Sequence, residues 1–375
     1  MKKVVVLGST GSIGLSTLDI LRRRPDEFRV VGLSAGSNVE LLEKQAREFE
    51  VQLVAMASSP GRALGRREVL RGEDAAARLV ALAGPDIVVN GISGAAGFLP
   101  SLAAIRQGAV LALANKESLV IGGHFITREI EQTGGTLLPV DSEHSAVFQC
   151  LAGEDPEGVC RIILTASGGP FRTRPRETFH SITPAEALNH PTWPMGRRIT
   201  IDSATMMNKG LEIIEAHWLF KVGMEKIGVV VHPRSIVHSL VEFRDGSIKA
   251  QMGVPDMRVP IACALSWPRR LELDVPRLDL ASMGALKFFN PDEEKFPALA
   301  LARDAMEQPE VLPCVMNAAD EIAVEAFLKG RIRFDEIVRV VRNTMDKLAR
   351  RRVESPEDLI ELDRESREVA ENMIS

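Results

Sequence analysis

The chain has 375 residues, with 46 Lys and Arg against 51 Asp and Glu for a formal net charge of −5, and its 45% hydrophobic and 26% charged content is that of an ordinary folded protein. Disorder, collagen and coiled coil are excluded, and the mildly acidic balance argues against a nucleic-acid partner, which favours a basic surface matched to phosphates. The longest apolar runs, such as 227–231 and 137–140, fall far short of the roughly 20 residues that cross a bilayer, so no membrane partner is expected.

Length alone predicts two or three domains. Met1-Lys2-Lys3 leads at once into the apolar run 4–7 and then glycines, without the apolar core of a signal peptide, so a cytoplasmic location is expected. Cys150, Cys160, Cys263 and Cys314 show no C-x-x-C spacing and are too few for a disulfide scaffold, which predicts free thiols.

Residues 4–7, 29–33, 51–56, 86–90, 109–114 and 136–140 read as strands, and segments between them such as 15–24 and 39–49 carry helical spacing. Alternation of this kind implies parallel strands joined by right-handed crossovers. Residues 1–140 are therefore expected to form an N-terminal doubly wound, Rossmann-like sheet. From 141 the pattern changes to a helix over 142–151, a strand over 161–165 and a long irregular stretch over 168–198. That stretch carries Pro170, Pro175, Pro184, Pro191 and Pro194 together with His190, Trp193 and Met195, which predicts a lid loop.

A strand over 198–201 and a helix from near Ser203 to about Phe220 follow, and then strands within 229–252 that turn at Asp245-Gly246. This makes 141–266 a central α+β domain. Residues 267–297, rich in Pro and charge, read as a connector, and 298–375 as a C-terminal helical bundle whose last helix is capped by Ser355 with Pro356 at its first position.

Three clusters could carry chemistry. Gly8-Ser9-Thr10-Gly11-Ser12-Ile13-Gly14 stands between a strand and a helix, where glycines permit a tight turn and backbone N–H groups can approach a pyrophosphate. After the second strand the chain reads Leu33-Ser34-Ala35-Gly36-Ser37-Asn38, without the carboxylate that would bond an NAD ribose, so NADP is the better fit although no Arg or Lys stands there either. Asp141-Ser142-Glu143-His144 lies at a strand end, where two carboxylates can meet one cation or Asp141 and Ser142 can simply cap a helix. Asn115-Lys116-Glu117-Ser118 adds an ammonium at another strand end.

The third cluster, 202–212, sets Asn208, Lys209 and Glu212 on one helical face as a possible phosphate cradle and third carboxylate, against the alternative of a solvated Glu-Lys face. Three carboxylates suit Mg²⁺ or Mn²⁺ over zinc.

Taken together, Gly8 to Gly14, Ala114-Asn115-Lys116-Glu117-Ser118, Val140-Asp141-Ser142-Glu143-His144, Ala166-Ser167-Gly168-Gly169-Pro170-Phe171, His190-Pro191-Thr192-Trp193-Pro194-Met195-Gly196-Arg197 and 202–212 resemble the 1-deoxy-D-xylulose 5-phosphate reductoisomerase family, as does Asn317-Ala318-Ala319-Asp320-Glu321 in the tail. The resemblance implies an NADPH- and metal-dependent oxidoreductase of the non-mevalonate isoprenoid pathway, usually a homodimer formed through the central domain. Its substrate is a sugar phosphate, rearranged and then reduced to 2-C-methyl-D-erythritol 4-phosphate.

By motif matching, Asp141, Glu143 and Glu212 would bind the metal, with Lys116, Glu143, His190 and Glu212 as the catalytic set. Substrate would be met by Lys116, Ser142, Glu143, Ser167, His190, Ser203, Asn208, Lys209 and Glu212, with Trp193 as the lid residue over it. Thr10, Gly11, Ser12, Ile13, Gly36, Ser37, Asn38, Asn115, Glu117 and Gly196 would line the NADPH site. Two other classes compete. A semialdehyde dehydrogenase would need an activated cysteine, and a non-catalytic NADP sensor would need only the first cluster.

Overall fold

The computed structural model describes residues 1–58, 67–189 and 196–374. Contacts divide the chain into two compact units. The first comprises Met1–Ser118, Phe125–Ser145 and Asp256–Asp274; the second comprises Leu119–His124, Ala146–Pro255 and Val275–Ser375.

The first unit is built on strands β1 (Lys2–Leu7), β2 (Phe28–Ala35), β3 (Leu53–Met56), β4 (Glu68–Arg71), β5 (Ile87–Asn90), β6 (Val110–Leu113) and β7 (Leu137–Pro139). They lie in the order β4-β3-β2-β1-β5-β6-β7, and every pair is parallel. The crossovers contain helices α1 (Ser12–Arg22), α2 (Val39–Glu48), α3 (Ala75–Ala83), α4 (Phe98–Arg106) and α5 (Lys116–Thr133). The expected doubly wound sheet is present. Its central strand β1 is Val4, Val5, Val6 and Leu7, each 0% exposed, because a strand covered on both faces has no solvent side to alternate with. Sequence order reverses between β1 and β5, which puts a crevice beyond the carboxyl ends of those two strands.

That crevice is shaped by glycine. Gly8 has φ +72°, and a Cβ there would lie 2.6 Å from the Gly91 carbonyl oxygen. A Cβ on Gly14 would lie 2.4 Å from the Gly8 carbonyl oxygen, so α1 packs directly on the turn it follows.

After α6 (Ser142–Leu151), the second unit carries β8 (Val159–Ala166), α7 (Pro184–Ala187), α8 (Arg197–Thr205), α9 (Met207–Phe220), β9 (Ile227–Val231), β10 (Val237–Phe243) and β11 (Ile248–Met252). Its sheet runs β11-β10-β8-β9, with β8 and β9 parallel and the other pairs antiparallel. The Asp245-Gly246 turn joins β10 to β11 as expected, with Gly246 at φ +84°. Helix α10 (Arg258–Ser266) returns to the first unit, where Arg258 lies 3.7 Å from Asp19 of α1. The connector holds only the short α11 (Leu280–Met283), and α12 (Ala298–Ala305), α13 (Leu312–Leu328), α14 (Ile337–Leu348) and α15 (Pro356–Asn372) complete the second unit. Ser355 caps α15 by accepting from the Asp358 N–H at 3.1 Å.

Two local expectations are corrected. Residues 198–201 are helical, not a strand: Ile199, Thr200 and Ile201 suggest β structure, but hydroxyls here serve the helix. Thr200 Oγ1 donates to the Gly196 carbonyl at 2.9 Å and Ser203 Oγ to the Ile199 carbonyl at 2.8 Å. The described part of the stretch after Gly168 is also less irregular than expected. Thr183 and Glu186 form a capping box at α7, and Arg174 donates to Glu186 at 2.8 Å, which together hold that carboxyl down at about 2. Phe171 and Phe179 pack edge-on against Phe334 at 5.2 and 5.6 Å, anchoring the stretch to the C-terminal helices.

The close approach of α1 to its turn makes a stability prediction. Gly14→Ala forces a backbone shift, so it should destabilise the protein by about 2 kcal/mol, visible as a lowered denaturation midpoint. A midpoint equal to that of the parent chain would refute the packing argument.

Candidate functional site

The candidate dinucleotide half-site is organised by hydrogen bonds around the glycine turn. Ser34 Oγ accepts from the Gly8 N–H at 3.0 Å, and the Ser9 N–H donates to the Ser34 carbonyl at 2.8 Å. Buried Gln45 bonds Ser9 twice, at 2.8 Å and 2.9 Å. The residue before α1 is Gly11, which offers no side chain to cap it, so the first N–H groups of the helix are left for an anion. Thr10, Gly11, Ser12 and Ile13 all belong to this turn.

At the end of β2, Gly36, Ser37 and Asn38 are exposed, and nothing stands within 4 Å of a Cβ built on Gly36. Asn38 also has a structural role, because its Oδ1 caps α2 by accepting from the Leu41 N–H at 3.1 Å. Asn115, expected at the same cofactor, is 2% exposed and ties the start of α5 to the loop at Gly94. Its Oδ1 accepts from the Ser118 N–H at 3.0 Å, while Nδ2 donates to the Gly94 carbonyl at 3.0 Å and to Glu117 at 2.9 Å.

The carboxylate cluster of the first unit stands where β7 gives way to α6. Asp141 is ion-paired with Lys116, whose side chain is 8% exposed. Ser142 Oγ donates to Glu143 at 2.5 Å. A carboxylate oxygen of Asp141 and one of Glu143 lie within 4.8 Å of each other, close enough to share a small cation. Asp141 is therefore more than a helix cap, since its carboxylate is held by an ammonium in a nearly buried pair. His144, in the next position, is 0% exposed.

The second unit carries Ser167, Ser203, Asn208, Lys209 and Glu212. Ser167 follows β8, and its Oγ accepts from the Gly169 N–H at 3.2 Å. Gly168 and Gly169 are both left-handed, with φ +82° and +65°, and a Cβ on Gly169 would lie 2.5 Å from the Ser203 carbonyl oxygen. Only a glycine lets the strand end come this close to α8.

Between α8 and α9 the chain breaks at Met206, φ +65°, so that Asn208 and Lys209 fall in the first turn of a new helix. Asn208 Nδ2 donates to Glu212 Oε1 at 2.6 Å, and Lys209 pairs with the other oxygen. Lys209 is 3% and Glu212 1% exposed, which rules out the solvated Glu-Lys face. His190 and Trp193 lie outside the described residues, while Gly196 is exposed at the start of α8. Burial pushes the thiols of Cys150, Cys263 and Cys314 up, the reverse of an activated nucleophile.

Family models match most of the chain: 1-deoxy-D-xylulose 5-phosphate reductoisomerase over residues 4–123, its C-terminal domain over 137–220, and the DXP reductoisomerase C-terminal domain over 252–369. The reductoisomerase of Chlorobaculum tepidum is 50% identical over 381 residues, spanning 100% of both chains, and that of Geotalea uraniireducens is 50% identical over 100% of this chain and 99% of its own. Among solved structures, the Zymomonas mobilis enzyme in complex with NADPH is 44% identical with a TM-score of 0.92, covering 100% of this chain and 99% of that one. A reductoisomerase in complex with NADPH, fosmidomycin and magnesium is 39% identical with a TM-score of 0.95, covering 100% and 98%.

One polar cluster has no role in the sequence reading. Arg198 of α8 donates to Glu321 at 2.7 Å and to Asn317 at 2.8 Å, both on α13, and lies 3.6 Å from Asp320. Asn317 and Asp320 stand on the buried face of α13 and are both 0% exposed. Burial pushes the Asp320 carboxyl up to about 6, against the pull of the Arg198 guanidinium.

An unfolded Asp titrates near 4, so the folded form holds this proton more tightly. The resulting stabilisation is complete below about pH 4 and is lost as pH rises through 6. The melting temperature of the parent chain should therefore fall relative to that of Asp320→Asn between pH 4 and 7. A difference that stays constant across that range would contradict the assignment.

Proposed function

This chain belongs to the 1-deoxy-D-xylulose 5-phosphate reductoisomerase family, and on that premise we propose how its own residues divide the reaction. The reaction is the NADPH- and metal-dependent conversion of 1-deoxy-D-xylulose 5-phosphate to 2-C-methyl-D-erythritol 4-phosphate. Residues 1–140 serve NADPH, 141–266 substrate and metal, and 298–375 support them.

The turn from Thr10 to Ile13 and the uncapped start of α1 would take the pyrophosphate. The open space at Gly36, with Ser37 and Asn38 beside it, would admit the ribose 2′-phosphate without a carboxylate to repel it. Asn115, Glu117 and Gly196 complete the cofactor set.

Asp141, Glu143 and Glu212 would hold the divalent cation. Their all-oxygen donor chemistry suits Mg²⁺ and equally Mn²⁺. When bound, the cation supplies a Lewis acid for adjacent substrate oxygens and NADPH supplies the hydride. Lys116 orients Asp141 through their ion pair, and Ser142 orients Glu143 by donating to it. Ser167, Ser203, Asn208 and Lys209 would bind the phosphate and hydroxyl end of the substrate with hydroxyl, amide and ammonium donors. His190 and Trp193 keep their places as substrate contact and lid residue in this reading.

The observation that carries it is Glu212: a carboxylate 1% exposed, with Asn208 on one oxygen and Lys209 on the other, so a charged oxygen donor is held in place out of bulk water. Glu212→Gln should lower turnover by about a hundredfold or more while leaving NADPH binding unchanged in a fluorescence titration. Oxidation of NADPH with 1-deoxy-D-xylulose 5-phosphate should stop in EDTA and return with Mg²⁺. Full activity in EDTA, or in the Gln variant, would sink the ligand set.

We also propose a cytoplasmic homodimer. Among the described residues no helix is long and apolar enough to cross a membrane, and all four cysteines are free, as a reducing compartment would keep them. Strand β11 ends its sheet with Ile248 53% exposed, an edge of the kind that a second copy covers. Light scattering should return twice the 41.0 kDa of one chain, and a monomer at micromolar concentration would refute the dimer.

A further inference from the structure

We propose that Arg198 is a positioning residue for substrate binding: its clamp on Asn317 and Glu321 fixes α8, and through α8 the place of Ser203. The C-terminal helices would then set the geometry of the phosphate end of the site. This inference rests on the reading of Ser203 as a substrate contact.

Arg198 is the second residue of α8 and stands five residues before Ser203. Its guanidinium spreads over one face of α13, where Asn317, Asp320 and Glu321 are related by i+3 and i+4. Within that face Asn317 Nδ2 donates to Glu321 at 3.2 Å, so two of the acceptors are already oriented. On the far side, Arg367 of α15 bonds the second Glu321 oxygen at 2.7 Å and grips Asp363 through two N–H groups at 2.7 and 3.1 Å. A continuous ionic chain thus runs from α15 through α13 to α8. Asp202, one turn along α8 and 3% exposed, lies 3.4 Å from the same guanidinium.

Stability alone does not account for this arrangement. Well-packed apolar side chains usually join helices as firmly as buried ions do, because desolvation offsets much of the attraction. What a planar fork adds is direction, since its donors fit only one orientation of the partner helix. α8 is limited from the β8 side too, where Gly169 leaves no room beside the Ser203 carbonyl. Ser203 is therefore fixed from two sides, by α13 through Arg198 and by the glycine turn.

The test is steady-state kinetics with 1-deoxy-D-xylulose 5-phosphate on Arg198→Met, Arg198→Lys, Ser203→Ala and the Arg198→Met/Ser203→Ala double variant, with NADPH affinity measured by fluorescence. Arg198→Met should raise KM about tenfold, change kcat less than threefold and leave NADPH affinity unchanged. Lys, which keeps the charge without the fork, should recover only part of the loss. If Arg198 acts through Ser203, the double variant should be no more than about twofold worse than Ser203→Ala.

Additive losses, or a KM for Arg198→Met within twofold of the parent, would overturn the role of Arg198 and leave Ser203 in place. An unchanged KM in Ser203→Ala would overturn the reading of Ser203 and the proposed route with it. Should Arg198→Met fail to fold by circular dichroism, Glu321→Gln removes one partner only and should still raise KM threefold; an unchanged KM there overturns the proposal.

Discussion

A carboxylate removed from water must be matched by donors, and in the second unit that requirement falls on Glu212. Asn208 and Lys209 meet it only because they lie four and three residues earlier on the same helix. Both stand in the first turn of α9, which begins at Met207 because Met206 adopts a left-handed backbone and breaks the run from α8. A non-glycine residue in that conformation costs on the order of 1 kcal/mol, so the surrounding packing has to impose it. Gly210 contributes to that packing, as a Cβ there would meet the Ala298 carbonyl and the Ala302 side chain at 3.0 Å. The C-terminal helices thus press on α9 at Gly210 and hold α8 at Arg198, one contact steric and the other ionic.

The first unit answers a different constraint. Its functional residues sit where parallel strands end and helices begin, so the free N–H groups of those helices decide what can bind. The helix starts are used in contrasting ways. Asn38 and Asn115 close their own helices with side-chain caps, whereas Gly11 leaves α1 uncapped. One start is thereby left without a side-chain cap while its neighbours are capped.

Much of this could be read from the residues. The glycines from Gly8 to Gly14, the β-branched runs of the first sheet and the Asp245-Gly246 turn are local signals, and each specifies structure within a few positions. What escaped was either locally ambiguous or remote. Residues 198–201 have β propensity, and hydroxyl bonds to preceding carbonyls decide for helix. Strand β4 went unread because its four residues begin and end on charged side chains, Glu68 and Arg71, leaving only Val69 and Leu70 as an apolar signal. The bonds of Arg198 to Asn317 and Glu321 span 119 and 123 positions, beyond the reach of any periodicity. Asn317 and Asp320 lie within a segment noted only for its family resemblance, and their burial, which marks a polar network, is visible only in the fold.

The kink at Met206 also settles an angular question. Along an uninterrupted helix, positions five apart differ in azimuth by about 140°, so Ser203 and Asn208 would project from well-separated sides of one cylinder. A single left-handed residue resets the phase between them and lets α8 and α9 take independent axes. Two short helices can aim a hydroxyl and an amide in directions that no choice of side chains on one long helix could supply.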